Sequence, residues 1–393
     1  MPTLIYLLLS TIIFIGAPLI LYWLHSQAAL EIVTSPVPTP PAGPLISVLI
    51  PARNEENNIR RCVEAVLAQD YPNFEVLVLD DRSTDATPGI LVELSKRETR
   101  LVVLFGAELP AGWAGKPHAL YQAAQSAAGR WLCCLDADTF LEPNALSAAL
   151  AMAEQTGADL YTMMTTQLMG TFWEKAVLPL VLTALSVGFS PRKINDPRKR
   201  DAVANGQFIL IKRSVYDAIG GHEAVKNQIV EDKAISEQVK WNGYRLVMAD
   251  GFAMAQTRMY TSLPTLWEGW TKNIYLGLKD LPAMLLLGVF GAFLALMAAL
   301  FMPLWLLSGL LWYFNGGGIP ALLVFIEALL VWGVLLYARA GVARKMGISG
   351  WYALSTPLGA GVFAAMMFAS AWKALSGQGV RWKGRTYDSK TVG

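Results

Sequence analysis

The sequence is poor in cysteine, histidine and charge. It has three cysteines and three histidines among 393 residues, and no two cysteines have Cys-x-x-Cys spacing. This pattern excludes a disulfide framework and a zinc site built on cysteine pairs, and it fits a reducing compartment. Only 16% of the residues are charged, against about 25% in an ordinary soluble domain. The composition argues against a disordered chain and against a plain cytosolic protein.

The charge that is present is nearly balanced. The chain has 32 basic and 30 acidic residues, a formal net charge of +2. A protein that binds nucleic acid through phosphate contacts needs a clear excess of basic residues, so we expect no nucleic-acid partner. The 54% of hydrophobic residues and the mean hydropathy of +0.39 indicate a soluble domain combined with a membrane region.

No lysine or arginine precedes Arg53, and residues 3–24 form one uncharged apolar run. About 20 helical residues cross a bilayer core, so residues 1–25 are interpreted as an N-terminal transmembrane anchor. A cleaved signal peptide is the alternative, but the run is long for one and lacks a basic amino-terminal region. The positive-inside rule then puts the chain from Arg53 onward in the cytoplasm. Residues 26–45 are rich in proline and predict an extended linker.

Residues 46–255 have the pattern of an α/β domain. Short β-branched runs alternate with helical periods, and the first helical period has Ile59, Val63 and Leu67 on one face. Strand, helix and strand in series predict a Rossmann-like, mostly parallel sheet, whose ligand lies at the carboxyl ends of the strands. The strand candidates are 46–50, 74–79, 101–104, 131–135, 160–163, 208–211 and 246–248.

The rest of the chain is again almost wholly apolar. Segment 256–282 is interpreted as interfacial, 283–373 as a C-terminal transmembrane region and 374–393 as a basic tail. The candidate spans are about 283–312, 319–337 and 351–372, with a loop carrying Arg339, Arg344 and Lys345 before the last. Three crossings would leave the basic tail outside, against the charge rule. Either one run does not fully cross, with the last run the main candidate, or the first run does something other than cross once.

Acidic pairs follow two of the predicted strands. Asp80 and Asp81 come after the second strand, and Asp136 and Asp138 come after the fourth. Each pair could simply cap a turn or a helix. Two carboxylates two residues apart at a strand end can also bind a divalent cation that bridges to substrate phosphates. Two acidic strand ends in one parallel sheet favour the second interpretation.

A third acidic pair, Glu231 and Asp232, begins a predicted helix. The helix macrodipole alone would favour acidic residues there. The pair follows Asn205-Gly206-Gln207 and the turn Gly220-Gly221-His222. The histidine could contact the donor phosphate or the acceptor, but it is interpreted as a turn residue. A carboxylate near a bound sugar phosphate could instead act as general base on an acceptor hydroxyl.

These motifs together resemble one enzyme family. The series ISVLIPARNEENNI, VLVLDDRSTDAT, GKPHAL, CLDADTFLEPNAL, NGQFILIKRSVYDAIGGH and VEDKAIS is similar to family 2 glycosyltransferases and covers about 210 residues. The resemblance implies a GT-A fold and sugar transfer. With its flanking apolar segments, the chain resembles membrane-bound enzymes that glycosylate lipids, including ceramide glucosyltransferase and the hopanoid-associated and carotenoid glycosyltransferases.

The resemblance also implies roles for single residues. Asp138, together with Asp136, would hold Mg2+ or Mn2+, and Asp232, with Glu231 beside it, would be the catalytic base. Such a site gives single displacement with inversion at the anomeric carbon. The residues that would contact the nucleotide sugar are Pro51, Ala52, Glu55, Asp80, Asp81, Lys116 and Asp136.

One motif of the related enzymes is missing. Related synthases and ceramide glucosyltransferase carry (Q/R)xxRW just before the membrane, whereas residues 266–273 contain no Arg-Trp pair. Trp270 and Lys272 are candidates to replace it as donor-binding residues, with the lysine helping to hold the diphosphate. The alternative is an interfacial helix with tryptophan anchors and a snorkelling lysine.

The sequence thus predicts an inverting glycosyltransferase of the cell membrane. It would move a sugar from a nucleotide-diphosphate sugar, expected to be UDP-linked, to a lipid acceptor at the cytoplasmic face. The alternatives are a small polysaccharide synthase, which the missing Arg-Trp pair disfavours, and a non-catalytic membrane scaffold, which the three acidic pairs disfavour. The apolar segment 171–189, interrupted by Pro179, is either a core helix or a helix beside the bilayer that helps admit a lipid.

Overall fold

The computed structural model describes residues 32–37, 43–278, 282–376, 380–382 and 385–387. The predicted anchor over residues 1–25 lies outside these ranges, as do parts of the predicted linker and of the predicted tail.

The described elements alternate between strand and helix and then become helical. The strands are β1 (Ile46–Ala52), β2 (Phe74–Asp80), β3 (Leu101–Phe105), β4 (Trp131–Leu135), β5 (Thr139–Leu141), β6 (Leu160–Met164), β7 (Thr166–Gln167), β8 (Phe208–Lys212), β9 (Leu246–Asp250), β10 (Ala255–Thr257), β11 (Val380–Trp382) and β12 (Arg385–Tyr387). The helices are α1 (Ile59–Leu67), α2 (Thr87–Ser95), α3 (Gly115–Ser126), α4 (Ala145–Thr156), α5 (Phe172–Gly188), α6 (Pro191–Asn195), α7 (Arg213–Ala218), α8 (Gly221–Ala224), α9 (Glu231–Trp241), α10 (Leu263–Leu278), α11 (Pro282–Trp312), α12 (Gly318–Lys345) and α13 (Thr356–Ser376).

A seven-stranded sheet forms the centre of one compact unit, here called the sheet unit, which contains the described residues of Leu30–Leu168, Phe189–Met259 and Gly377–Gly393. The strand order is β3-β2-β1-β4-β8-β6-β9, and only β8 runs antiparallel to its neighbours. The predicted α/β class with a mostly parallel sheet is therefore confirmed. Every predicted strand is present, most of them one or two residues longer than expected.

The strands are hydrophobic throughout because both faces of the sheet are covered. In β1, Ile46, Val48 and Ile50 pack into one hydrophobic layer, while Leu49 packs into the layer on the other face. A sheet with helices on both faces needs apolar residues at every strand position rather than at alternate ones. Polar residues are consequently found at the strand ends.

The carboxyl ends of β1, β2 and β4 meet at one edge of the sheet, since the three strands are parallel. Ala52 pairs with Asp80 at the last position of β1 and β2. Because β8 is antiparallel to β4, Phe208 pairs with Leu135, and the segment that precedes β8 reaches the same edge. This edge, here called the carboxyl edge, collects the acidic motifs of the sequence.

Lys240 fixes the basic loop that leads into β8. Its side chain is buried, and Nζ donates hydrogen bonds to the carbonyls of Lys193, Ile194 and Asp201 at 3.0, 2.6 and 2.7 Å. A buried ammonium needs such acceptors to offset its lost hydration. The loop is thereby fixed just upstream of Gly206.

Five short strands of the described residues were not predicted. β5, β10 and β7 form a separate three-stranded sheet, and β11 and β12 form a two-stranded one. Strands of two or three residues are too short for alternating hydrophobicity to reveal them in a sequence.

The second unit, here called the helical unit, contains the described residues of Met169–Gly188 and Tyr260–Ser376. Two of its helical stretches, Pro303–Lys345 and Gly350–Lys373, are long and apolar enough to cross a membrane. Large apolar side chains on α12 are exposed, among them Ile319 and Leu330.

The position predicted for the basic loop before the last span was wrong. Arg339, Arg344 and Lys345 lie within α12, which continues to Lys345. The alanines and basic residues of this stretch are good helix formers, so the helix continues past its most apolar part. It ends just before Gly347, whose φ of +72° breaks the helical geometry.

Candidate active site

A small cleft opens at the carboxyl edge. Five of the residues predicted from the sequence line it, and they come from four different segments of the sheet unit. The lining residues are Pro51, Lys116, Leu120, Cys134, Leu135, Asp136, Gly206, Ile209, His222, Glu231 and Asp232.

Lys116, in the first turn of α3, joins two of the acidic motifs. Its Nζ lies 2.6 Å from Asp136 Oδ1 and 2.6 Å from Glu231 Oε1. The Glu231 side chain is only 5% exposed, so this ammonium is the cation that compensates its buried charge. Burial lowers the pKa of Lys116, but Asp136 and Glu231 outweigh this and raise it well above its usual value. The site therefore contains a permanent positive charge.

Asp232, in the first turn of α9, is held by backbone donors. The N–H of Gly206 donates to Oδ2 at 3.0 Å and the N–H of Lys233 donates to Oδ1 at 2.7 Å. Burial and the adjacent negative charge of Glu231 raise the pKa of Asp232 to about 6. A Cβ on residue 206 would lie 2.8 Å from Asp232 Oδ2, so this position requires glycine. Asp232 is thus a positioned carboxylate that is more basic than an ordinary aspartate.

Asp136 and Asp138 have carboxylate oxygens at the end of β4, and of the two only Asp136 is among the residues that line the cleft. Among the described residues, no three His, Cys, Asp or Glu side chains converge as a closed metal site. Mg2+ is commonly bound by one or two carboxylates together with substrate phosphates, and carboxylates also suit Mn2+. The donor set of Asp136 and Asp138 fits an ion of that kind.

The loops after β1 and β2 are locked together beside the cleft. Asn54 N–H donates to Ser83 Oγ at 2.9 Å, and the Thr84 N–H donates to Asn54 Oδ1 at 2.8 Å. Asn54 and Arg82 have φ values of 53° and 59°, which are unfavourable for residues other than glycine. Such strained backbone persists where surrounding contacts fix it, commonly at ligand sites.

The remaining predicted nucleotide contacts lie at the ends of β1 and β2 and are not among the residues that line the cleft. Asp80 is buried, and its Oδ2 accepts a hydrogen bond from the Ser83 N–H at 3.3 Å. The Asp81 N–H donates to the Ala52 carbonyl at 2.7 Å, and the Glu55 N–H to a threonine hydroxyl. Their contacts with a nucleotide stay a prediction.

Trp270 and Lys272 belong to α10 of the helical unit, where both side chains are buried. The Trp270 ring lies 6.2 Å from the ring of Tyr260 between centroids. Their assignment as donor-binding residues stays a prediction.

Sequence reasoning assigned no firm site role to Gly206 and His222 and missed Asn54 and Arg82. Gly206 and His222 line the cleft, and Asn54 and Arg82 shape the loops beside it. The only available signal for His222 was its place after two glycines and nine residues before Glu231. No sequence pattern marks the two strained residues, because their conformation depends on contacts between two separate loops.

Comparison with known proteins agrees with the motifs. Residues 47–220 match the model of glycosyl transferase family 2. The 4,4'-diaponeurosporenoate glycosyltransferase of Staphylococcus aureus strain MRSA252 is 30% identical over 237 residues, which are 59% of this chain and 61% of that protein. The protein of the same name from strain USA300 is 28% identical over the same shares. This chain therefore matches about three fifths of the length of these relatives.

The solved structures include one with a similar fold. The mannosyltransferase PcManGT from Pyrobaculum calidifontis, in complex with GDP-Man and Mn2+, superimposes with a TM-score of 0.56 at 19% identity. The match covers 94% of this chain and 97% of that one. Residues 47–220 are accordingly a family 2 glycosyltransferase domain, and the sheet unit that contains them has the GT-A fold.

Proposed function

We propose that this chain transfers a sugar from a nucleotide-diphosphate sugar to a lipid-like acceptor at a membrane, with inversion at the anomeric carbon. The observation that carries the proposal is the cleft in which Asp136, Lys116, Glu231 and Asp232 converge at the carboxyl edge. A cation and a weakly basic carboxylate in one cleft supply what a single displacement on a sugar diphosphate requires.

The donor is bound at the carboxyl edge in this proposal. The locked loops after β1 and β2 and the buried Asp80 supply polar groups for a nucleoside, and Lys116 supplies positive charge for the diphosphate. A UDP-linked sugar is the expected donor. The GDP-Man in the structure of the similar mannosyltransferase makes GDP-sugars the alternative to test.

Asp136 and Asp138 are the residues that would hold Mg2+ or Mn2+. A bound divalent ion stabilises the negative charge that develops on a leaving diphosphate. The Mn2+ in the structure of the similar mannosyltransferase supports metal dependence. The ammonium of Lys116 contributes a second positive charge beside the same leaving group.

Asp232 removes the proton from the acceptor hydroxyl as its oxygen attacks the anomeric carbon. The N–H groups of Gly206 and Lys233 hold the carboxylate in place. Since the pKa of Asp232 is about 6, the carboxylate is ionised and still moderately basic at neutral pH. The bond to the acceptor forms as the bond to the diphosphate breaks, and the proton ends on Asp232.

An apolar acceptor is supported by the composition of the helical unit and by the relatives. Two described helical stretches could cross a membrane, and large apolar side chains on α12 are exposed. Exposed apolar surface of this extent marks a membrane or an apolar partner. The relatives are named for a carotenoid acid acceptor. We place the sheet unit in the cytoplasm, following the distribution of basic residues.

The test is transfer of radiolabel from UDP- and GDP-sugars into organic-extractable lipid, using membranes that contain the full chain. Label should enter lipid with wild type and Mn2+, and it should be lost with EDTA or with Asp232→Asn. The exposed Asp217, which pairs with Arg213 on α7, provides the matched control Asp217→Asn. Equal label from wild type and Asp232→Asn would support the scaffold alternative, and label only in a long water-soluble polymer would support the synthase alternative.

A further inference from the structure

His222 is a buried imidazole in the wall of the cleft. It belongs to the short segment Gly221–Ala224, is 3% exposed, and shares the cleft with Lys116, Asp136 and Asp232. The proposed reaction gives it no role. A turn residue alone would not need to face this cleft.

Two contacts with Tyr216 indicate which nitrogen of the His222 ring carries the proton. The backbone N–H of His222 donates to the Tyr216 hydroxyl oxygen at 3.1 Å, and the same hydroxyl lies 2.9 Å from His222 Nδ1. Among the described residues the Tyr216 O–H has no other acceptor, so we assign it as the donor to Nδ1. Burial raises the pKa of Tyr216, which keeps this proton in place. Nδ1 is then the acceptor, and the ring proton is on Nε2.

The second glycine of the turn makes this pair possible. Gly221 has φ +50°, and a Cβ at that position would lie 2.5 Å from the Tyr216 ring. Any larger residue would therefore push the tyrosine away from the imidazole. The Gly-Gly-His sequence is a requirement of the pair as well as of the turn.

The imidazole is neutral at every pH at which the protein is expected to work. Burial, and secondarily the positive charge of Lys116, lower the pKa of His222 to about 3. Nδ1 is engaged by Tyr216, and among the described residues Nε2 has no hydrogen-bond partner. The ring therefore offers the cleft one uncharged N–H donor.

We propose that the Nε2–H of His222 donates a hydrogen bond to a hydroxyl of the sugar that is transferred. This rests on the proposed function. An anionic phosphate is matched by Lys116 and by the divalent ion that Asp136 and Asp138 would hold, whereas an uncharged donor matches an uncharged oxygen. The three carboxylates around the cleft are acceptors only when ionised, so His222 adds a donor that they do not provide. His222 is thus a sugar-binding residue, and Tyr216 positions it.

The substitutions His222→Gln and His222→Asn distinguish the role of Nε2 from that of Nδ1. The amide nitrogen of glutamine can reach the place of Nε2, whereas that of asparagine reaches only the place of Nδ1. His222→Gln, His222→Asn and Tyr216→Phe are made in the full chain. The probes for binding are UDP-glucose, UDP-N-acetylglucosamine and GDP-mannose, each compared with its free nucleoside diphosphate by calorimetry in the presence of Mn2+.

We expect His222→Asn to weaken binding of the preferred sugar nucleotide by about tenfold, the loss expected for one unmade hydrogen bond. The affinity of His222→Asn for the free diphosphate should be unchanged. The affinity of His222→Gln for the sugar nucleotide should stay within a few-fold of wild type, and that of Tyr216→Phe should lie between those of the Gln and Asn variants. The same order should appear in the donor KM for transfer. Equal behaviour of the Gln and Asn variants, or equal weakening of sugar nucleotide and free diphosphate, would overturn the assignment. Absence of sugar-nucleotide binding and transfer by wild type would instead overturn the proposed function.

Discussion

Asp232 has a negative charge that the fold stabilises poorly. Its pKa is raised from the ordinary 3.8 to about 6 by burial and by Glu231. The ionised side chain therefore makes the folded state less stable above pH 6, by on the order of 1–3 kcal/mol. A protein keeps such a group where a basic carboxylate is needed, which is the role we propose.

Asp232→Asn should therefore abolish activity and stabilise the protein. We expect kcat to fall by at least about 100-fold, since a general base contributes about 10²–10⁴-fold. At pH 7.5 the free energy of unfolding should rise by on the order of 1 kcal/mol. Because a raised folded-state pKa destabilises only the ionised form, this gain should disappear as the pH falls from 6 to 4.

The measurement for Asp232 is chemical unfolding of wild type and variant between pH 4 and 8, with kcat of wild type over the same range. Wild-type kcat should fall below about pH 6, where Asp232 becomes protonated. The groups that face Asp232 are Glu231, Lys116 and Asp136. A difference in stability between variant and wild type that stayed the same from pH 4 to 8 would contradict the assigned burial of charge.

Lys116 is a second residue whose removal should affect both stability and activity. Lys116→Met leaves Glu231 buried without its cation, so the free energy of unfolding should fall by about 1–3 kcal/mol. The partial exposure of Lys116, at 33%, keeps this below the loss expected for a fully buried pair. Donor KM should rise because the diphosphate loses a positive charge.

A double-mutant cycle checks the Lys116 prediction. Lys116→Met with Glu231→Gln should be less destabilising than the sum of the single substitutions, since the uncompensated charge is gone. The exposed pair Arg97 and Glu93 provides the matched control, and Arg97→Met should change stability by less than about 0.5 kcal/mol. Additive effects of the two site substitutions would exclude the ion pair.

At the scale of elements, the strands of the central sheet could be predicted from the sequence because both faces of the sheet are buried. Runs such as Ile46–Ala52 are hydrophobic at every position, and turn residues bound them. The acidic motifs could be placed at the carboxyl edge because parallel strands align their ends. The antiparallel direction of β8 could not be derived, since strand direction depends on how the chain crosses the sheet.

The cleft was only partly predictable for a similar reason. Asp136 and Asp232 belong to motifs with familiar spacing, but the contact of Lys116 with both Asp136 and Glu231 joins three distant segments. The role of Gly206 depends on its distance from Asp232 in the folded chain. Local sequence patterns carry no information about contacts of this kind.

A glycine in α13 should be essential for packing in the helical unit. A Cβ at Gly359 would overlap the carbonyl oxygen of Ala176 in α5, so the two helices pack backbone against backbone there. Gly359→Ala should force the helices apart and lower the free energy of unfolding by about 1–3 kcal/mol. The measurement is thermal unfolding of the full chain in detergent.

Gly333 in α12 provides the control for this prediction, because a Cβ at that position would have no atom within 4 Å. Gly333→Ala should leave stability unchanged or raise it by up to about 1 kcal/mol through helix propensity. If the two alanine variants melted at the same temperature, the close packing of α5 and α13 would be refuted. The packing also bears on the hypothesis that α5 helps admit a lipid, since it places α5 within the helical unit.

At the scale of the whole molecule, the distribution of charge constrains how the apolar helices can lie in a membrane. Arg344 and Lys345 end α12, and Arg381 and Arg385 follow α13. The positive-inside rule favours the cytoplasm for both groups. If α12 ends in the cytoplasm and the segment after α13 is cytoplasmic too, α13 does not cross the membrane.

Single-cysteine labelling distinguishes the two topologies. The native cysteines Cys62, Cys133 and Cys134 are buried, so a membrane-impermeant maleimide should react mainly with introduced thiols. Phe314→Cys, between α11 and α12, should be labelled only from outside intact cells. Gly347→Cys, after α12, should be labelled only in inside-out vesicles.

Ser376→Cys, at the end of α13, decides between the two topologies. We expect it to react only in inside-out vesicles, like Gly347→Cys, because the basic residues beyond it favour the cytoplasm. Leu330→Cys, on an exposed face in the middle of α12, is the control that should stay unlabelled from both sides if that helix is in the bilayer. Labelling of Ser376→Cys from outside would mean that α13 crosses fully and that helix packing outweighs the charge rule. Labelling of Leu330→Cys from either side would show that α12 does not lie in the bilayer. That result would also contradict the proposed transfer to a lipid acceptor at the membrane.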